Sequence, residues 1–137
     1  MLQEEVSVLL GQKKLSITPC RVEVLRVMLE TGSALSEQEI RSQLKGNFDR
    51  TTVYRTLRSF LDQEVIHSIA LEGGLVRYAI THSKDKHAEL FHSHFYCEYC
   101  SKVYCLVKPE FDPPVLPEGF KANGYDLLIN GTCKNCS

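Results

Sequence analysis

The sequence predicts an α+β protein, in which a helical N-terminal half precedes a small C-terminal domain of short strands. Three observations support this fold class. Apolar residues recur at helical spacing as far as Leu61, and the pattern of a β-hairpin follows over residues 65–80. Two Cys-x-x-Cys pairs then occupy the last third of the chain. Helices followed by a hairpin are typical of a winged helix-turn-helix, which we assign to residues 1–80.

Local signals at helix ends predict four helices in the first half. Thr and Asp are good N-cap residues, and proline is favoured at the first helical position. A serine followed three residues later by glutamate forms a capping box. These signals predict helices over residues 2–10, from Thr18-Pro19 to Gly32, from Ser36 to about Leu44, and from Asp49 onwards. The buried positions of the fourth helix are predicted to be Val53, Leu57, Phe60 and Leu61.

The second half of the chain is predicted to contain strands. Residues 65–71 and 76–80 flank the turn Gly73-Gly74 and form the wing. The polar residues 81–91 are assigned as a hinge, and residues 92–137 as a second domain. Further strands are predicted at His94–Tyr96, Val103–Leu106 and Asp126–Ile129. Between the last two, Pro109, Pro113, Pro114 and Pro117 argue against a long helix.

The paired cysteines predict a structural zinc site. Cys97-x-x-Cys100 and Cys133-x-x-Cys136 each place two thiolates on one turn, and four such ligands suit tetrahedral zinc. Because binding at such a site is linked to folding, it contributes on the order of 10 kcal/mol. The rival interpretations are a thiol-redox protein that uses one Cys-x-x-Cys pair, or an enzyme with a His/Cys metal centre.

Composition and charge restrict the function further. No apolar run approaches the length of a membrane span and no signal-peptide layout is visible, so we expect a cytoplasmic protein without membrane contact. The net charge is −1, but residues 13–58 hold nine Lys/Arg and five Asp/Glu, a local balance of +4. A basic first half favours nucleic acid as partner rather than a small-molecule substrate.

The fourth helix carries the predicted DNA-reading surface. Its face away from the buried stripe combines guanidinium groups, hydroxyls and an aromatic ring, which suit contacts to phosphates and base edges. Together with two basic residues nearer the N-terminus, the predicted DNA contacts are Lys14, Arg21, Arg50, Thr51, Thr52, Tyr54, Arg55 and Arg58.

Several motifs together resemble the ferric uptake regulator (Fur) family. They are Thr18-Pro19-x-Arg21, Thr-Val-Tyr-Arg at residues 52–55, His-Ser-His-Phe-Tyr-Cys-Glu-Tyr-Cys at residues 92–100, and Gly-Thr-Cys-x-x-Cys at residues 131–136. The resemblance implies a homodimer with an N-terminal winged helix and a C-terminal α/β dimerisation domain. It also implies a transcription regulator, usually a repressor, that binds a palindromic DNA operator when a divalent metal occupies a sensor site. Tyr54 and Arg55 would then be DNA contacts, and the paired cysteines would hold structural zinc.

The sensor site is the least determined part of the sequence. A second divalent metal, Zn²⁺ or Fe²⁺, needs ligands near the hinge, and the candidates are His82, His87, Glu89, His92, His94 and Cys105. We leave open whether His92 and His94 bind the same ion. A thiolate with imidazoles favours zinc slightly over iron. The expected mechanism is a population shift, in which the metal favours the arrangement that spaces two recognition helices for the operator.

The chain also departs from the family pattern. Residues that the family commonly uses as ligands are replaced at Ala34, Ala79, Ser93, Cys105 and Tyr125. We therefore expect one of the family's sites to be lost and another to be rebuilt. A peroxide-sensing regulator is an alternative within the class, but the absence of an aspartate at Ser93 counts against it. Cys20, in the first turn of a helix, is expected to be a packing residue.

Overall fold

The computed structural model describes residues 2–81, 91–106 and 114–137, and the chain divides into two compact units, Met1–Thr81 and His82–Ser137. In the described part of the first unit, four helices precede a two-stranded hairpin. The helices are α1 (Leu2–Gln12), α2 (Pro19–Thr31), α3 (Glu37–Gln43) and α4 (Arg50–Asp62). The strands are β1 (Ile66–Ala70) and β2 (Val76–Ile80) in the first unit, then β3 (Phe91–Cys97), β4 (Val103–Cys105) and β5 (Tyr125–Gly131) in the second. None of the helices among these described residues is long and apolar enough to cross a membrane.

Helix α2 begins and ends where its sequence signals predict. The side chain of Thr18 accepts a hydrogen bond from the Arg21 amide at 3.2 Å, which satisfies one of the free N–H groups of the first turn. Gly32 ends the helix with φ at +70°, a conformation that other residues adopt only with strain. Its amide donates to the carbonyl of Met28 at 3.2 Å. Both ends are therefore determined by local chemistry.

The next two helices also begin at the predicted caps. Ser36 and Glu39 form a reciprocal capping box, in which each side chain accepts from the other residue's amide at 3.1 Å. The carboxylate of Asp49 accepts from the Thr52 amide at 3.0 Å and begins α4. Hydrogen bonding from Thr52 lowers the pKa of Asp49, so the cap is ionised at neutral pH. The start of the predicted DNA-reading helix is thus defined by one side chain.

The core of the first unit lies where α1, α2, α3 and α4 meet the hairpin. Its largest fully buried side chains are Phe60, Leu10, Leu25, Ile40, Ile66, Val24, Val27 and Val53. One prediction about α4 was wrong: Leu61 is only partly buried, and Thr56 is buried in addition to Val53, Leu57 and Phe60. The hydroxyl of Thr56 donates to the carbonyl of Thr52 at 2.9 Å, so the buried oxygen is satisfied within the helix.

Replacement of Phe60 by alanine is expected to destabilise the first unit. The side chain is 0% exposed, so its loss removes buried apolar surface and leaves a cavity. We expect a loss of about 3–5 kcal/mol in the free energy of unfolding. Urea titration followed by far-UV circular dichroism measures this. Leu61→Ala on the same helix is the matched control, and an equal loss in both variants would contradict the placement of the buried stripe.

The hairpin is joined to the helices through one residue of the linker before α3. Strands β1 and β2 pair antiparallel from Ile66–Ile80 to Ala70–Val76. Leu35 extends this pairing, because it exchanges backbone hydrogen bonds with Tyr78 at 2.9 and 2.7 Å. At the tip, Gly73 and Gly74 both adopt φ of +77°, which explains why glycines occupy the turn. The hairpin is thereby held beside the helices, as in a winged helix.

The second unit contains a three-stranded sheet with the order β4-β3-β5. Strand β3 pairs antiparallel with β4 and parallel with β5. The three strands predicted from the sequence are present, and β3 and β5 extend further than predicted. Among the described residues of this unit, the buried side chains are few: Ser93, His94, Cys97, Val103 and Cys133. A core of this size among the described residues suits a domain that a bound metal stabilises.

Candidate DNA interface and metal centre

The exposed face of α4 carries the predicted DNA-reading residues. Because Val53, Thr56, Leu57 and Phe60 face the core, the remaining positions of the helix project outwards. The exposed residues include Arg50, Thr51, Thr52, Tyr54, Arg55 and Arg58. The Tyr54 ring is 58% exposed, although aromatic side chains are usually buried at least in part. An exposed aromatic ring between guanidinium groups suits contact with a nucleic acid.

The two remaining predicted DNA contacts have different surroundings. Lys14 is exposed and adopts φ of +55° between α1 and α2. Arg21 is half-buried, and its guanidinium donates to the carbonyl and hydroxyl of Ser16 at 2.9 and 2.8 Å. Arg21 therefore holds the linker before α2 in place. It also borders a cleft of about 370 Å³ that Thr52 and Arg55 share, so three predicted contacts lie around one opening.

The four paired cysteines converge in the second unit. Their Sγ atoms all lie within 4.8 Å of one another, and those of Cys100 and Cys133 are 3.8 Å apart. Parallel pairing of β3 and β5 causes this, because it ends both strands side by side at Cys97 and Gly131. The Glu98 amide donates to the Gly131 carbonyl at 2.8 Å and joins the two cysteine turns.

The sulfur geometry fits a zinc ion. Zinc–sulfur bonds of about 2.3 Å in a tetrahedron place neighbouring sulfurs about 3.8 Å apart. The separation between Cys100 and Cys133 matches this edge and is far longer than a disulfide bond. Cys97 and Cys133 are buried whereas Cys100 and Cys136 are exposed, so the site lies at the surface with two ligands on its inner side. The residues present therefore fit tetrahedral zinc.

The electrostatics of the cluster also favour a bound cation. Hydrogen bonds from the amides of Cys100 and Cys133 lower the pKa of Cys97 to about 6, so its thiolate is present at neutral pH. In contrast, hydrogen bonding to Cys133, burial and the neighbouring sulfurs raise the pKa of Cys136 to about 12. One thiolate thus opposes ionisation of the next, and a divalent cation removes this repulsion.

A second pair of candidate ligands lies on the same sheet. His94 in β3 pairs directly with Cys105 in β4, and directly opposed residues of antiparallel strands share a face. His94 is buried and Cys105 is half-buried. Burial raises the pKa of Cys105, so its thiol is protonated until a metal or a base removes the proton. The two side chains are therefore close enough in register to bind one ion.

The other sensor candidates cannot be compared with the structure. His82, His87 and Glu89 lie outside the described residues, and His92 is described only as part of the β3 backbone. Cys20 is buried at 4% exposure and accepts a hydrogen bond from Thr56 at 3.4 Å, in agreement with its expected packing role.

Two units with these properties define a class of protein. A winged helix with an exposed basic and aromatic helix, in one chain with a four-cysteine metal site, is typical of metal-binding transcription regulators.

Residues 12–127 match the model of the ferric uptake regulator family. The chain therefore belongs to this family, whose members are transcription regulators and not enzymes. Among curated relatives, the ferric uptake regulation protein of Campylobacter upsaliensis is 22% identical, with 100% of this chain and 90% of the relative covered. The peroxide-responsive repressor PerR of Staphylococcus aureus is 27% identical, with 97% of this chain and 90% of the relative covered.

Solved structures share the fold. A zinc uptake regulator in complex with zinc and DNA superimposes with a TM-score of 0.70 at 23% identity, covering 99% of this chain and 95% of that chain. The Helicobacter pylori ferric uptake regulator Fur, described with three functional metal-binding sites, gives 0.60 at 21% identity, covering 98% and 91%. The predicted fold class, an α+β protein with an N-terminal winged helix-turn-helix and a small C-terminal domain that contains four clustered cysteines, is confirmed. Family membership also removes the redox-protein and enzyme alternatives.

Proposed function

We propose that this metal-responsive regulator is a homodimeric repressor, that its operator is palindromic, and that zinc is its regulatory metal. The observation that carries the choice of metal is the pairing of buried His94 with Cys105 across β3 and β4. An imidazole and a thiolate together favour zinc over ferrous iron and manganese. Further ligands would come from the hinge, with His82, His87 and Glu89 as candidates, and from His92 at the start of β3.

Recognition of DNA is assigned to α4. Its exposed guanidinium and hydroxyl groups suit phosphates and guanine, and the Tyr54 ring suits a thymine methyl group. A zinc uptake regulator of the same fold is known in complex with zinc and DNA, which supports this assignment by analogy.

Self-association is assigned to the second unit. Within the described residues, β5 pairs with β3 alone and is an outer strand of the sheet. Ile129 on this strand is 43% exposed, and Phe120 in the preceding loop is 67% exposed. An outer strand with exposed apolar side chains is suited to pair with a second copy. A dimer would present two recognition helices, as a palindromic operator requires.

Operator binding in the presence of different metals tests the proposal. First, the zinc-loaded protein selects its DNA fragment from a random library. Binding to this fragment is then measured with protein that carries only its structural zinc. We expect added zinc to restore binding, and ferrous iron or manganese to do so poorly, with two zinc ions per chain by elemental analysis. Restoration by iron or manganese but not by zinc would reject zinc as the regulatory metal.

Replacement of Cys105 by serine is expected to weaken the second metal equivalent and leave the first intact. The hydroxyl is a poorer zinc ligand than a thiolate, so the affinity of the second site should fall roughly tenfold or more. Because burial raises the Cys105 pKa, native protein should also release a proton when this site fills. Isothermal titration in buffers of different ionisation enthalpy measures both effects. Cys20→Ala is the matched control, since it removes a thiol of the first unit. Two unchanged metal sites in Cys105→Ser would show that Cys105 is only a packing residue.

A further inference from the structure

A half-buried ion pair on α2 contacts the turn that leads into α4. The guanidinium of Arg26 donates to both carboxylate oxygens of Glu23, at 2.9 and 3.0 Å. The same carboxylate accepts a hydrogen bond from the backbone amide of Lys45 at 2.7 Å, across 22 residues of sequence. Arg26 also donates to the carbonyl of Gln43 at 3.3 Å. One pair of side chains therefore binds a carbonyl and an amide on either side of the end of α3.

The turn held by this contact leads directly to the start of α4. Helix α3 ends at Gln43, and the last carbonyls of a helix have no partner within it. The turn continues through Gly46, whose φ is +115° and where an added Cβ would lie 3.2 Å from the Phe48 ring. Asp49 then caps α4. Because only residues 44–49 separate α3 from α4, the contact at Lys45 limits where α4 can begin.

This ion pair is less exposed than the pair at the end of α4. The side chains of Arg26 and Glu23 are 20% and 17% exposed, whereas those of Arg58 and Asp62 are 65% and 62% exposed and 3.7 Å apart. Exposed pairs of the second kind stabilise proteins little. A bidentate contact with limited solvent access is stronger and more directional than such an exposed pair. Hydrogen bonding from Arg26 also lowers the pKa of Glu23, so the carboxylate is charged at neutral pH.

We infer that Glu23, oriented by Arg26, is a positioning residue for operator recognition: it holds the turn between α3 and α4 so that α4 enters DNA in one orientation. This inference rests on the proposed function, since it concerns the DNA contacts of α4. Helix α2 is a suitable support, because Val24, Leu25, Val27 and Met28 anchor it in the core. Glu23 itself need not touch DNA.

Three variants test the inference on the full-length, zinc-loaded protein. Glu23→Leu removes every contact of the carboxylate, and Glu23→Gln keeps one oxygen for the Lys45 amide. Glu5→Leu makes the same substitution at an exposed position of α1 and is the matched control. We expect operator binding to weaken about tenfold in Glu23→Leu, the size of one lost base contact. Glu23→Gln should recover part of this affinity, and Glu5→Leu should bind like the native chain. Hydrogen exchange of the Lys45 amide should accelerate in Glu23→Leu, while the Thr52 amide, bonded to Asp49, stays protected.

Each alternative result would overturn the inference. Native affinity in Glu23→Leu, despite faster exchange at Lys45, would show that anchoring the turn does not matter for binding. An affinity loss that disappears once the variant is fully folded at low temperature would show that Glu23 contributes stability alone. If the native chain selects no DNA at all, the proposed function fails first, and the exchange data then describe only a structural contact.

Discussion

Removal of zinc is expected to unfold the second unit and leave the helices of the first in place. The described core of the second unit contains Val103 and few other apolar side chains, whereas Cys97 and Cys133 are buried around the metal site. Without a cation the negative charge of the Cys97 thiolate is not neutralised. The ends of β3 and β5 also lose the metal that would join them. Loss of such a site removes on the order of 10 kcal/mol, more than a unit of this size retains otherwise.

A cysteine variant and a chelator measure this effect independently. In the part of the chain that the structure describes, the α-helices lie in the first unit, so far-UV circular dichroism follows that unit. Amide exchange at Glu98 and Ser137 follows the second, because both amides are bonded next to the cysteines. Cys133→Ser should lose the zinc and the protection of both amides, while Cys20→Ala should keep them. Retention of zinc with an unchanged unfolding temperature in Cys133→Ser would contradict the four-cysteine site.

Replacement of Tyr54 or Arg55 by alanine is expected to abolish operator binding without loss of structure. Both side chains are exposed on α4 and contribute little to the core, so folding, zinc content and self-association should be unchanged. One good base contact contributes about 1–3 kcal/mol of discrimination. A dimer loses the contact twice, or about 2–6 kcal/mol, so binding should weaken by roughly thirtyfold to roughly twenty-thousandfold.

Two matched substitutions on the surface of the second unit test whether loss of any exposed charge or aromatic ring would have the same effect. Lys102→Ala removes an exposed positive charge of the second unit, and Tyr99→Ala removes a ring that is 78% exposed there. Both controls should bind the selected operator like the native chain in a gel shift. Normal binding by Tyr54→Ala and Arg55→Ala would mean that α4 does not read the operator.

Features that depend on neighbouring residues were predictable from the sequence. The caps at Thr18, Ser36 and Asp49 are present because a short polar side chain bonds an amide three residues later in the chain. The cysteine pairs were predictable for the same reason, since Cys-x-x-Cys already places two thiols on one turn. The error on α4 also has a local cause: Leu61 was preferred for its apolar character, while Thr56 satisfies its hydroxyl within the helix and can be buried.

Contacts between residues distant in the sequence were not predictable. Nothing in the spacing of Glu23 and Arg26 indicates more than a pair within one helix, and the bond to the Lys45 amide exists only because α2 and α3 pack together. The partner of Cys105 depends in the same way on the register between β3 and β4. A shift of that register by one residue would move the thiol to the other face of the sheet.

By itself the sequence determined the winged helix, the exposed face of α4 and the pairing of two cysteines on each Cys-x-x-Cys turn, because periodicity, caps and residue spacing are local properties of the chain. The tertiary structure alone decided which residues share a surface. It joined two cysteine turns separated by 32 residues, opposed His94 to Cys105, and anchored the turn before α4 to α2. Such pairings follow from strand register and helix packing, in which small contributions from many residues combine.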